Sequence, residues 1–320
     1  GSQRFFRREP SEVCKNERMK FIALKTNDGQ NTGKIAFYCK LLHVSRQGFY
    51  KYLKAQTRPW KYQDLADAML EILAEDECND TYGRIRMYQA LRLKQPQGVQ
   101  IPSERTVYRI MEELGISHTP RRKPNGITRA DKETRKSDDL LRRNFDADKP
   151  LTKCVTDITE VKGKDGKLYV SAVFDCYDSC VLGLAMDTNM RASLCVQTLK
   201  NTHDACHDLR GVIIHSDRGA QYTSQEYRAA IGRYGILQSM NSAGGRCHDN
   251  ARCESMWARM KVELLYGRYN TEKMTIDELK TMIWRFFIGY WNNRRICSRN
   301  GGLPPMVKRQ RYYHSLKKAA

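Results

Sequence analysis

The chain has 320 residues, enough for two or three domains with cores of their own, and 56 Lys and Arg against 36 Asp and Glu give it a net charge of +20. An excess that large serves a polyanion, and nucleic acid is the expected partner. No apolar stretch approaches the roughly 20 residues that span a bilayer, and GSQRFFRREP lacks a signal-peptide core, so a cytoplasmic, nucleoid-associated protein is expected. The eleven cysteines are odd in number and scattered, which fits reduced thiols. Cys176 and Cys180 with His203 and His207 lack the tight knuckle spacing of zinc sites.

In chain order, GKIAFYCKLLHVSRQGFYKYLK (33–54) predicts helix, short turn, helix, with Ser45 as N-cap and Ile35, Cys39, Leu42, Phe49 and Leu53 on the inner face. A second pair follows in YGRIRMYQALRL and IPSERTVYRIMEELGI, where Ser103 caps a helix bearing Val107, Ile110, Met111 and Leu114, and Gly115 ends it. Each pair has the outline of a helix-turn-helix, and on a basic chain Arg46, Gln47, Tyr50, Arg105 and Arg109 are the expected exposed DNA contacts. PRRKPNGITRADKETRK (120–136) reads as a basic linker whose Arg121, Arg122 and Lys123 track phosphates.

From Leu151 the pattern changes. LTKCVTDITEV, KLYVSAVFDCY and VLGLAMD predict three antiparallel strands, with Asp175 and Asp178 as turn residues. Helix, short buried strand GVIIHSD, helix and strand ILQSM follow, which makes a mixed sheet with helices on its faces. An amphipathic helix from near Asp249 to about Tyr266 carries Cys253, Trp257, Met260 and Leu264 on one face, and another helix spans Ile276 to near Asn293. The tail from Arg294 holds no acidic residue; it is expected to sit on phosphates, with Arg294 and Arg295 among the contacts, or to stay disordered.

Asp157 lies in the first strand and Asp217 ends the fourth, so side-by-side strands bring both carboxylates to one sheet edge, joined by Glu254 from the following helix. Three like charges are costly unless neutralised, and divalent Mg2+ or Mn2+, held as a pair, suits oxygen ligands and in-line phosphoryl displacement. Lys261, seven residues after Glu254 and on the same helix face, is placed to hold a neighbouring phosphate. His215 reads as a packed strand-end residue, and Glu160 and Glu263 as structural acids.

TDITEV, HSDRGAQYTS, SMNSAGGRCHDNARCESMWARMKVE and YWNNRRICSRNGGLPP, in this order over Leu151 to about Pro305, resemble the integrase-type transposases of bacterial insertion sequences, the IS-three family. The resemblance implies an α/β, RNase H-like mixed five-stranded sheet preceded by α-helical helix-turn-helix domains. It implies a DDE triad, catalytic and metal-binding, on Asp157, Asp217 and Glu254, with Lys261 as the helical DNA contact. Two Mg2+ ions per site are implied, with Mn2+ able to substitute. The implied reaction is nicking of the element's 3' end by water and attack of the freed 3'-hydroxyl on another phosphodiester. The element's ends are joined through one strand, replication yields a circle, and the circle inserts into target DNA. The partners implied are transposon-end duplex and target DNA, bound by a homodimer or higher oligomer.

The departures, Arg246, His248, Arg252 and the turn ICSRNGG, leave the triad intact. The expected domains are an arm (1–25), helix-turn-helix units (26–60 and 61–118), a basic linker (119–147), the catalytic domain (148–272) and a C-terminal helix with basic tail (273–320). No sustained heptad is evident, so the chain reads either as a downstream product alone or as a fusion with a shortened front. Two other classes stay open at the level of residues: a DNA-binding protein that kept the sheet without catalysis, and a structure-specific nuclease that hydrolyses without joining.

Overall fold

The computed structural model describes residues 14–57, 60–116, 137–142, 144–241 and 250–319, and the chain divides into two compact units, Gly1–Asp64 and Leu65–Ala320. In the first, helices α1 (Lys15–Thr26), α2 (Thr32–Leu41) and α3 (Arg46–Gln56) close around Met19, Ile22, Ile35, Cys39, Leu42 and Phe49. The Ser45 hydroxyl accepts the Gly48 N–H at 3.0 Å and so caps α3. The expected arm over 1–25 is helical from Lys15, because Met19 and Ile22, three apart, give it an apolar face that the next two helices bury.

Helix α4 (Gln63–Ala74) leads into the second unit, followed by a 3-10 turn (Glu77–Thr81), α5 (Arg84–Lys94) and α6 (Glu104–Glu113). In α6 Val107, Ile110 and Met111 are buried as their spacing predicts, and Gly115 ends the turn at φ +69°, a conformation glycine adopts without strain. Ser103 stands at the N-cap position, but its hydroxyl meets the Thr106 hydroxyl at 3.2 Å instead of capping the backbone. The segment does not stand apart. Tyr290 donates to Asn79 at 3.0 Å, the Tyr82 hydroxyl accepts the Ile296 N–H at 3.0 Å, and Asp76 pairs with Arg285 and Arg294, each at 3.1 Å. Residues 76–94 therefore fold with the C-terminal helices.

The sheet begins with the antiparallel meander β1 (Lys153–Gly163), β2 (Gly166–Asp175) and β3 (Val181–Asp187). Helix α7 (Ala192–Cys206) then returns the chain to β4 (Ile213–Ser216), and α8 (Gln225–Arg233) leads to β5 (Leu237–Met240). Parallel neighbours need such crossovers, and the strand order is β3-β2-β1-β4-β5 with β4 parallel to both β1 and β5. This is the RNase H-like arrangement. Helices α7 and α8 bury Cys154, Val173, Leu182 and Ile214 on one face. Helices α9 (Ala251–Met260) and α10 (Ile276–Trp284) bury Val155, Ala172 and Phe174 on the other. Cys176 and Cys180 join these opposite cores, in keeping with their lack of zinc-site spacing. At Gly183 a Cβ would lie 2.6 Å from the Thr198 carbonyl, so glycine is what lets α7 lie against β3.

Helices α9 and α10 continue as π turns, Lys261–Leu265 and Arg285–Trp291. The first directs Glu263 into the interior, where its carboxylate accepts from Arg295 at 2.7 and 2.6 Å and from Arg86 at 3.0 Å. Burial alone raises a carboxyl, yet Arg295 and Arg86 hold Glu263 down at about 2. This corrects the reading of Arg295 as a DNA contact: its guanidinium is 3% exposed and committed to Glu263.

The alternative of a disordered tail is corrected as well. Pro305–Ala319 forms a helix, α11, and its Arg309 is buried against Asp175 and Asp178, donating to Asp178 at 2.8 Å. Both aspartates do act as turn residues, accepting the Tyr177 and Cys180 N–H groups at 2.8 Å, and they also anchor this helix.

Glu263→Gln leaves two buried cations without a counter-charge, and the expected cost is about 3–5 kcal/mol of unfolding free energy at pH 7. Because the folded carboxyl is held below its ordinary 4.5, the wild-type advantage is present above that pH and fades toward pH 2. Denaturant unfolding at pH 7 and at lower pH checks both.

Candidate active site

Strands β1 and β4 pair in parallel with Lys153 opposite Ile213, Cys154 opposite Ile214 and Val155 opposite His215. Two residues past that last pair come Asp157, still on β1, and Asp217, one residue beyond the end of β4, close enough for their charges to interact. Side chains alternate faces, so both carboxylates share the face of Val155 and His215, the one α9 covers. Strand β4 ends at Ser216, which leaves Asp217 to open a turn: its Oδ1 accepts the Gly219 N–H at 2.9 Å. A Cβ at Gly219 would come within 3.0 Å of that oxygen, so the glycine after Arg218 keeps room for the carboxylate.

Asp157 is half-buried. Burial, then the Asp217 charge and more weakly Glu254, push its carboxyl up to about 7, against opposition from the Ile158 N–H and the Trp257 indole. That indole nitrogen is itself buried, with no acceptor in hydrogen-bond geometry. Burial also raises Asp217, opposed by the Gly219 N–H and His215. Glu254 is exposed on the first turn of α9. Among the described residues no three His, Cys, Asp or Glu side chains stand together at ligating distance, so Asp157 and Asp217 form a pair and Glu254 acts on it from further out. No Lys or Arg among the described residues pairs with any of the three. An all-carboxylate donor set of this kind, short of positive charge, has the chemistry that hard divalent cations take.

His215 is fully buried. Its Nδ1 lies 2.8 Å from the Ser239 hydroxyl and its Nε2 2.9 Å from Asn241 Oδ1. The Ser239 hydroxyl also accepts the Leu140 N–H at 2.9 Å. The ring thus ties β4, β5 and residues 139–141 together behind Asp217.

Lys261 is half-buried where α9 passes into its π turn, on the Glu254 side of the helix. Arg46, Gln47 and Tyr50 are exposed on α3, as are Arg105 and Arg109 on α6. Arg294 is exposed and paired with Asp76. Arg121, Arg122 and Lys123, with Arg246, His248 and Asp249, lie outside the described residues. Two site features escaped the sequence reading. Trp257 lies beside Asp157, signalled only as an apolar residue three places after Glu254, and the spatial demand at Gly219 has no signal beyond its place in HSDRG.

The sequence profile of the Integrase core domain matches residues 147–245. The chain is 35% identical to a probable transposase for insertion sequence element IS1353 from Shigella flexneri, over 85% of this chain and 51% of that protein; it thus spans about half of that relative's length. It is 28% identical to the transposase InsF for insertion sequence IS3A from Escherichia coli strain K12, over 90% of this chain and 97% of the relative. It is 30% identical to an uncharacterized 31 kDa protein of insertion element IS600 from Shigella sonnei, over 86% and 98%. With the mixed sheet and its close pair of acids, these similarities assign the chain to the IS3 family of insertion-sequence transposases with an integrase-type core.

Proposed function

We propose that this chain cleaves the 3' ends of an insertion sequence and transfers them to a second phosphodiester, with Asp157, Asp217 and Glu254 as the catalytic carboxylates. The observation that supports the reading is the closeness of Asp157 on β1 to Asp217 just past the end of the parallel strand β4, with no Lys or Arg among the described residues paired with either. Family membership supports DNA as the substrate, and the +20 charge fits it. The substrates are the duplex ends of the element and target DNA. Both ends must be held at once, so a homodimer or larger assembly acts in the cytoplasm on nucleoid DNA.

Two Mg2+ ions, for which Mn2+ can substitute, supply charge neutralisation and activation of the attacking oxygen when bound. Asp157, Asp217 and Glu254 are the residues that would hold them. The Gly219 N–H fixes the Asp217 carboxylate, His215 locks the strand end behind it, and Trp257 supports Asp157. Lys261 holds the phosphate beside the scissile one. In the first step a water oxygen bonds to phosphorus, the bond to the 3' oxygen breaks, and the proton released from water leaves a 3'-hydroxyl. In the second the oxygen of that hydroxyl bonds to the phosphorus of another phosphodiester, that linkage's own bond to its 3' oxygen breaks, and the proton lost by the attacking hydroxyl is balanced by one taken up at the released 3' oxygen. Positioning and charge neutralisation suffice, and no side-chain nucleophile is required. The order is copy-out-paste-in: one-strand joining of the ends, a replicated circle, then insertion.

With labelled terminal oligonucleotides, Asp157→Asn is expected to abolish Mg2+-dependent nicking and joining, a loss of at least about 10³-fold, while end binding persists. Unchanged cleavage removes Asp157 from the mechanism, and nicking without any joined product in the wild type favours a nuclease.

The same substitution tests the electrostatics. A carboxyl raised from its ordinary 3.8 to about 7 destabilises the fold once ionised: stability is full below 3.8 and is lost as pH rises through 7. In chelator at pH 8, Asp157→Asn is therefore expected to melt higher than wild type by several degrees, on the order of 1–2 kcal/mol. The gap narrows as pH falls toward 5. Thermal unfolding across that range checks it, and a lower melting temperature for the variant at pH 8 contradicts the repulsion.

A further inference from the structure

Several cations of the second unit are paired with acids. Arg268, Arg285 and Arg294 pair with Asp80, Asp76 and Glu77, and Arg86 and Arg295 share Glu263. Around the turn between β2 and β3 the situation differs. Arg252 donates from Nη2 to the Ser179 hydroxyl at 2.6 Å, and its Nε is buried with no partner. Lys308 donates to the Tyr177 carbonyl at 2.7 Å and to Asn300 Oδ1 at 3.3 Å, acceptors that carry no charge. Further along α11, Arg311, Lys317 and Lys318 are exposed. Among the described residues no carboxylate pairs with any of these five. Burial and then the neighbouring charge of Arg299 depress Arg252, the mark of a cation short of an anion.

The helix that carries this charge is fixed. Arg309, buried between Asp175 and Asp178, locks the first turns of α11 onto the β2–β3 turn, and Tyr312 packs edge-on against Tyr177 at 5.5 Å. At 100° per residue, Lys308, Arg311 and Lys318 fall within about 80° of arc and form one cationic stripe. The turn also stands at a defined offset from the acids. Asp175 is opposite Cys154, three residues or about 10 Å before Asp157 along β1. Arg252 is two residues before Glu254 on α9.

Resting on the transposase reading, we infer that Arg252, Lys308, Arg311 and Lys318 form a second phosphate-binding surface, which grips the DNA backbone away from the bond being broken. Arg309 takes no part in binding; its pairing with two aspartates makes the stripe rigid, so little order has to be gained when DNA arrives. The phosphates come either from the flank of the element's end or from target DNA, which present the same chemistry.

The test is the salt dependence of binding, measured by fluorescence anisotropy in chelator on an element-end duplex and on an unrelated duplex. Arg311→Gln/Lys318→Gln changes only exposed side chains and is expected to reduce the slope of log K against log salt by about 2; Arg252→Gln is expected to reduce it by about 1. Loss on the end duplex identifies the flank as the ligand, and loss confined to the unrelated duplex identifies target DNA. Retention of the full slope by either variant on both duplexes overturns the inference. Binding is read without catalysis, so a failure of strand transfer counts against the transposase reading and leaves this one to stand or fall by its slopes.

Discussion

The structure turns on the repulsion between two carboxylates, one on a strand and one just past the end of its parallel neighbour. Asp157 and Asp217 come together because Val155 pairs with His215 and the chain carries Asp157 two residues further along β1 and Asp217 into the turn that follows β4. Half-burial then removes part of the water that would screen them, and Asp157 is driven toward neutral pH. A stable fold tolerates this only where the framework around the pair is rigid. The α7 and α8 core on one face, the aromatic α9 and α10 core on the other, and the His215 ring behind the strand ends supply that rigidity.

The strain is concentrated at the acids and balanced elsewhere by buried charge of the opposite arrangement. Glu263 lies nine residues beyond Glu254 on the same continuous helix, and its two arginines hold the far end of that helix to α5 and to the C-terminal segment. Arg309 does the same for α11 with two aspartates. In both anchors the acids and bases are matched and hydrogen-bonded. In the Asp157 pair they are not, and that contrast sets the pair apart from both anchors.

Much of this was legible in the sequence. The change from helical spacing to alternating strands at Leu151, the three-strand meander and the position of Asp217 at the end of a short apolar strand all appear where the pattern put them, because local periodicity and turn residues agree with the global fold. The two successive helices over 33–54 were legible for the same reason, with Ser45 capping the second. Contacts between distant segments were not. Arg295 and Arg309 look like any exposed base in a tail without acids, and only the tertiary fold brings Glu263, Asp175 and Asp178 to them. Residues 76–94 read as part of a separate DNA-binding domain because nothing local announces that Asn79 and Tyr82 meet the C-terminal helices. The π turns are equally silent, since one extra residue per turn leaves the apolar pattern of α9 nearly unchanged.

The most direct test of the central claim is Mn2+ binding followed by electron paramagnetic resonance on the wild type and on Asp217→Asn, each with element-end DNA bound. If the carboxylates converge on a shared cation site, the wild type holds Mn2+ and loses most of it when the Asp217 charge is removed, with DNA still engaged. Equal Mn2+ occupancy in the two proteins contradicts the claim.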